Sequence, residues 1–162
     1  MTTLAELEKR LQTVEDERAI ERLIASYGPL VDAGEAEATA ELWAADGTYD
    51  VEDWHMRGRD DVAAMVRSDA HQGLIQHGCS HFLGPTVVTV DGDDAVAVCE
   101  SVLLIRRDGH FVAARAGANH FTVRRIDGRW QITQRRTHVL DGSAEAREML
   151  SAGAFGSGLD AR

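Results

Sequence analysis

Residues 85–140, PTVVTVDGDDAVAVCESVLLIRRDGHFVAARAGANHFTVRRIDGRWQITQRRTHVL, decide the fold. The stretch is rich in Val, Ile, Thr and Phe. Asp-Gly falls in it at Asp91-Gly92, Asp108-Gly109 and Asp127-Gly128, each time between alternating runs. Asp-Gly suits the positive-φ positions of a tight hairpin turn, which makes it the strongest short-range hairpin signal. The segment therefore reads as an antiparallel meander of about four long strands.

Working outward, the half before it is helical. Leu4, Leu7, Leu11 and Val14 recur at intervals of three and four and are followed by Ile20, Leu23, Ile24 and Tyr27 at similar intervals, the periodicity of an amphipathic helix with its apolar residues buried. Gly28-Pro29 interrupts or bends that helix. EAEATAELWAA (35–45) predicts a second helix with Ala36, Ala40 and Trp43 on its apolar face. RDDVAAMVRSD (59–69) predicts a third, capped by Asp60. Helices followed by antiparallel strands make the α+β pattern. A strongly curved sheet folded around the helices leaves a conical pocket open at one end. The expected organisation is one domain over residues 1–142, with 143–162 a C-terminal helix or flexible tail.

Bulk properties narrow the function. A chain of 162 residues suits one core. The net charge of −10 leaves no surplus of Lys and Arg to displace phosphate counterions, which argues against nucleic acid. The basic runs IRRDG, TVRRIDG and ITQRRTH read as solvated strand ends. Cys79 and Cys99 form no disulfide framework. The N-terminus lacks a signal-peptide pattern and no apolar run reaches membrane-spanning length, so no membrane association and a reduced cytoplasmic setting are expected.

LIQHGCSHFLG (74–84) places His77, Cys79 and His81 at alternate positions. Three readings are open: metal ligands, a catalytic base with neighbours, or packed polar residues. An extended chain points all three the same way. It also separates the histidine Cα atoms by about 13 Å, near the limit for sharing an ion. Gly78, Gly84 and Pro85 oppose a helix here. A base needs an orienting carboxylate. Asp32 follows Leu30 and Val31 where an apolar residue would complete the buried stripe, and acids go inside only with a partner. Its plain alternative is a helix-end acid before Gly34. Tyr27 and Tyr49, the only tyrosines, either pack in the core or donate to a substrate oxygen. Arg135 and Arg136 are neighbours in a strand, so one faces inward and must meet a carboxylate or an anionic group. Without a bulge, Trp130 lies on the face opposite Arg135.

The runs AIERLIASYGPLVDAGEAEATAELWAADGTYDV, SHFLGPTVVTVDGDDA and VRRIDGRWQITQRRTHVLDG together resemble the nuclear transport factor 2-like superfamily. Within it they are most similar to the SnoaL-like branch of scytalone dehydratase, bile acid 7α-dehydratase and hexachlorocyclohexane dehydrochlorinase. The likeness spans about residues 4–142. It implies a cone-shaped α+β barrel, a homo-oligomer (often a trimer, with a dimer as alternative), and no metal or organic cofactor. It places the family's catalytic histidine on His81, the aspartate that orients it on Asp32, pocket aromatics on Tyr27 and Tyr49, and an arginine on Arg135. The dehydrochlorinase has Lys where Tyr27 stands, and the bile acid enzyme has Asp where Val102 stands. On this resemblance the expected activity is a cofactor-independent, dehydratase-type elimination on a small, cyclic, mostly apolar substrate. Trp54, His77, Asn119 and His120 are the expected substrate contacts, and Cys79 a small packed residue. An isomerase or polyketide-type cyclase with the same dyad, or a non-catalytic ligand-binding or assembly module, are the alternatives.

Overall fold

The structure, a computed structural model, describes residues 1–159. A capping box starts α1 (Leu4–Ala25): Thr3 Oγ1 accepts from the Glu6 amide, and the Glu6 carboxylate accepts from the Thr3 amide at 2.7 Å. The break expected at Gly28-Pro29 falls just before it, at Ser26, and separates α1 from α2 (Tyr27–Asp32). Next come α3 (Ala36–Ala40), the hairpin β1 (Trp43–Val51) and β2 (Trp54–Arg57), α4 (Gly58–Arg67) and α5 (Asp69–His77). The strands β3 (Cys79–Leu83), β4 (Val87–Asp91), β5 (Asp94–Arg107), β6 (His110–Ile126) and β7 (Arg129–Val139) follow, and α6 (Ala144–Ala154) ends the fold.

All three Asp-Gly dipeptides turn hairpins. Asp108 and Gly109 have φ of 49° and 81°, and Asp127 and Gly128 have 50° and 75°, the paired positive values of a turn that matches strand twist. The sheet runs β2-β1-β7-β6-β5-β3, with β4 also paired to β5. β3 takes the later half of β5 and β4 the earlier half, which is how one long strand carries two neighbours on one side. The sheet is curved and does not close into a barrel. Register shifts between Leu103 and Leu104 and between Thr122 and Val123 add extra residues, and such bulges bend strands.

Helices α1 to α4 cover the concave face, where Ile20, Ile24, Trp43, Val66, Phe121 and Ile132 form a core with no exposed surface. Asp16 docks α1 to the sheet. Its carboxylate accepts from Arg125 Nη2 at 2.7 Å, Trp130 Nε1 at 3.1 Å and Gln12 Nε2 at 3.1 Å. Burial alone would raise this carboxyl, but these bonds outweigh it and hold the pKa below the usual range. On the opposite face α6 packs over β5 and β6, with Gly153 against Val98.

Several expectations change. Trp43 begins β1 rather than ending the second helix, so a β-hairpin replaces the tail of that helical stretch. Backbone pairing with β2 and β7 wins over a weak apolar period. β1 pairs with β7 in parallel, so the sheet is not wholly antiparallel. Residues 85–140 form four strands, but only β5, β6 and β7 are long, and a short β3 lies just before them. Asp60 lies in the first turn of α4, whose cap position is Arg57. Leu4, Leu7, Leu11 and Val14 are exposed instead of buried. Of the expected tail, 144–154 is helix; residues 160–162 lie outside the described residues.

Candidate functional site

α2 delivers Asp32 to the head of β3, and the approach is close: a Cβ added to Gly28 would lie 2.2 Å from the His81 carbonyl oxygen. At this distance Asp32 accepts from His81 twice, from ring Nδ1 at 2.6 Å and from the backbone N–H at 2.7 Å. Cys79 Sγ donates to the same carboxylate at 3.4 Å. Burial pushes the Asp32 carboxyl up, but the hydrogen bonds and charge of His81 prevail and hold its pKa below the ordinary value. An ionised carboxylate only accepts, so Nδ1 carries the hydrogen and Nε2 of a neutral ring is left as the base. Burial and the adjacent Asp32 charge push the Cys79 thiol up to about 11, so at neutral pH it is an S–H donor.

His81 lines a cavity of about 210 Å³ with mainly apolar walls. Tyr27, Tyr49 and Arg135 also line it. The Arg135 guanidinium carbon sits 4.1 Å from the Tyr27 ring centroid, 4.5 Å from Tyr49 and 5.2 Å from Phe121. Asn119 Oδ1 accepts from its Nε at 3.2 Å and its Nη2 at 2.7 Å, and from Thr137 Oγ1 at 2.8 Å. Arg135 is only 2% exposed, yet it forms no ion pair with the described residues and its Nη1 has no hydrogen-bond partner among them. A buried cation held by ring faces and one amide oxygen is electrostatically unfinished, and a negative or electronegative ligand atom completes it. Tyr27 is a neutral phenol: burial, then the neighbouring Tyr49, raise its pKa well above the usual value despite Arg135. Its ring meets those of Tyr49 and His81 edge-on at 6.2 and 6.3 Å.

Arg135 reaches this face because of the bulge in β7. Phe121 pairs with Arg135 and Val123 with Ile132, so Thr133 is the additional residue. Trp130, Ile132 and Arg135 thus share the concave side, which corrects the alternation expected without a bulge. Arg136 faces α6, 3.6 Å from Glu145.

Trp54 lines the cavity and is half exposed, placing it at the rim. Asn119 lies beneath the cavity, behind Arg135, rather than on its wall. His120 points the other way, with Nε2 donating to the Ser157 carbonyl at 2.9 Å, so the geometry does not support it as a substrate contact. His77 is also displaced. It is the last residue of α5, exposed, with Nδ1 donating to the Gly73 carbonyl at 2.7 Å. Gly78 (φ 97°) turns the chain between helix and strand, so His77, Cys79 and His81 do not share an extended face. The packed-residue expectation for Cys79 gives way to a thiol bonded to Asp32.

Sequence reasoning missed His71, Ser101, Arg115 and Thr137, which also line the cavity. Thr137 was within reach, since it lies two residues after Arg135 on the same strand face. His71 carried no such signal. Its Nε2 donates to the Val31 carbonyl at 2.9 Å, leaving Nδ1 as acceptor, and its ring lies 5.4 Å from that of His81.

Asp32, Cys79 and His81 bring ligand-type atoms within 4.8 Å of one another, the one such cluster among the described residues. Asp32 thereby takes the place expected of His77. These atoms are already hydrogen-bonded together, and a metal would require the Cys79 thiol to lose its proton. The arrangement fits a proton-handling dyad better than a cation site. Among the described residues no helix is long and apolar enough to cross a membrane.

The SnoaL-like domain family matches residues 12–136. A nuclear transport factor 2-like protein with a cystatin-like fold from Novosphingobium aromaticivorans is 45% identical, with a TM-score of 0.90 over 93% of this chain and 98% of that one. A Mycobacterium tuberculosis protein of unknown function aligns at TM-score 0.73 and 22% identity over 93% of this chain and 96% of that one. A candidate scytalone dehydratase from N. aromaticivorans aligns at 0.66 and 20%, over 78% and 85% of the two chains. The latter two likenesses carry the fold alone. No curated protein matches the chain.

Proposed function

Because the chain belongs to the SnoaL-like domain family, which includes dehydratases, isomerases and cyclases, we propose that it is a lyase of the dehydratase type. Its substrate is a small, cyclic, mostly apolar molecule carrying a carbonyl and a hydroxyl leaving group. The observation that carries this reading is the Asp32–His81 pair opening onto an apolar cavity that also holds an incompletely paired arginine.

In this reading His81 Nε2 removes a proton from the carbon next to the carbonyl. Asp32 holds the tautomer and stabilises the imidazolium that forms. Negative charge grows on the carbonyl oxygen as the enolate develops. Arg135 Nη1 and the Tyr27 and Tyr49 hydroxyls are the donors that stabilise it. As the enolate collapses, the hydroxyl group departs, taking a proton from the imidazolium and leaving as water. A volume of about 210 Å³ is below the range usual for drug-sized ligands, which favours a substrate of one or two rings. The catalytic unit is residues 1–142, and two free cysteines suit a reducing cytoplasmic setting.

A panel of hydroxylated cyclic ketones, with products resolved by mass and by NMR, tests the proposal. The expected product has lost water, and His81→Ala lowers its rate about 10²–10⁴-fold with near-UV circular dichroism unchanged. An isobaric product would replace the elimination with an isomerisation or cyclisation. Turnover within a few-fold of wild type in His81→Ala would remove the base assignment.

A further inference from the structure

The first three turns of α1 project from the body, and their apolar residues face away from it. Leu4, Leu7, Leu11 and Val14 are 72%, 49%, 58% and 58% exposed, and no residue of the helix before Asp16 is buried. Their intervals of three, four and three are the a and d positions of two heptads, the spacing that brings two helices together knob into hole. The body-facing residues of the same helix are Asp16, Ile20 and Ile24. Ile20 lies nine residues beyond Leu11, about 2.5 turns at 3.6 residues per turn, so the two stripes occupy opposite sides. A partner helix laid along the exposed stripe therefore meets no part of the domain behind it.

The flanking charges identify the partner. With Leu4 and Leu11 at a, the g positions include Arg10 and Glu17, and the e positions include Glu15 and Arg22. In a parallel pair each g residue meets the e residue five positions later on the other helix. The two complete g-to-e pairs are Arg10 with Glu15 and Glu17 with Arg22, both of opposite charge. An antiparallel pair instead sets e against e and g against g, bringing Glu8 against Glu8 and Arg10 against Arg10.

We propose that the N-terminal half of α1 is a self-association surface, on which a second copy of this chain docks in parallel along Leu4, Leu7, Leu11 and Val14. The a/d seam ends at Val14, because the next a and d positions are Arg18 and Glu21. Two heptads make a small contact, below the size of a standard interface, so pairing is concentration-dependent in the micromolar range. Each domain hangs on the outer side of the helix pair with its cavity outside the contact.

Sedimentation equilibrium across micromolar concentrations, together with cysteine cross-linking, tests this on the full chain. The Leu7→Glu/Leu11→Glu variant changes only exposed positions, and it is expected to sediment at half the wild-type mass with an unchanged melting temperature. Arg10→Glu weakens pairing and the added Glu15→Arg restores it. Under mild oxidation Leu4→Cys forms a covalent dimer that wild type, with its own Cys79 and Cys99, does not. Parallel docking sets Leu4 beside Leu4, whereas antiparallel docking sets it near Val14 and gives no cross-link. An unchanged assembly mass in Leu7→Glu/Leu11→Glu, or no cross-linked dimer from Leu4→Cys, would overturn the proposal.

Discussion

Replacing Gly28 with alanine adds a single methyl group at the joint between α2 and β3. Gly28 lies inside a helix at ordinary negative φ, so propensity alone predicts stabilisation of about 1 kcal/mol. The tertiary structure predicts the reverse. The new Cβ would stand 2.2 Å from the His81 carbonyl oxygen, where ordinary contact begins at 3.4 Å, so 3.4 − 2.2 = 1.2 Å must open between two backbones. If that shift falls along the Asp32–His81 bond, 2.6 Å becomes 2.6 + 1.2 = 3.8 Å, beyond hydrogen-bonding range. Overpacking costs about 1–3 kcal/mol, and a lost charge-assisted hydrogen bond about 1.5–3 kcal/mol. Set against the propensity gain, the net loss is about 1.5–5 kcal/mol, or roughly 3–20 °C in Tm for a chain of this size. Gly73 in α5 is the control, since a Cβ there meets nothing within 4 Å. Gly73→Ala should stabilise by about 0.5–1 kcal/mol. Urea unfolding gives both energies, and the downfield proton resonance of the His81 imidazole reports the dyad directly. Equal stabilisation by both alanines, with that resonance retained in Gly28→Ala, would refute the view that glycine is required for the dyad to close.

Arg135→Leu should separate function from stability. Turnover falls by about 10²–10³-fold, as for loss of an oxyanion donor, while the melting temperature holds or rises because a buried cation without a carboxylate partner has been removed. Arg136→Leu, on the α6 side, should stay within about 0.5 kcal/mol and leave turnover unchanged; the opposite ranking would place Arg136 in the cavity. The depressed Asp32 pKa makes its contribution to stability complete above the unfolded-state value of about 3.9, and that contribution is lost as pH falls through the folded value. The stability gap between wild type and Asp32→Asn, measured by urea unfolding, should thus shrink as pH falls from about 5 to below about 4, where the carboxylate itself is protonated; a gap that widens over that range would contradict the pairing.

The sequence by itself determined the α+β class and the three Asp-Gly hairpins and offered Asp32 as a candidate orienting carboxylate, while the family resemblance put its partner on His81. Each of these rests on local chemistry or on a spaced pattern of residue types: positive-φ turn residues, alternating runs, and an acid where an apolar residue belongs. The tertiary structure decided which face each residue occupies and where elements end. Whether Arg135 enters the cavity depends on the extra residue at Thr133, and a bulge reverses strand parity without leaving a mark in composition. By spacing alone His77 and His81 are equivalent, and the positive φ of Gly78 puts one on a helix end and the other in a strand. His71 joined the cavity through α5, whose position depends on long-range packing. The apolar stripe at Leu4–Val14 carries the same periodicity as a buried face. Periodicity states that a helix has an apolar side; only the fold determines whether that side meets the chain's own core or is left for another surface.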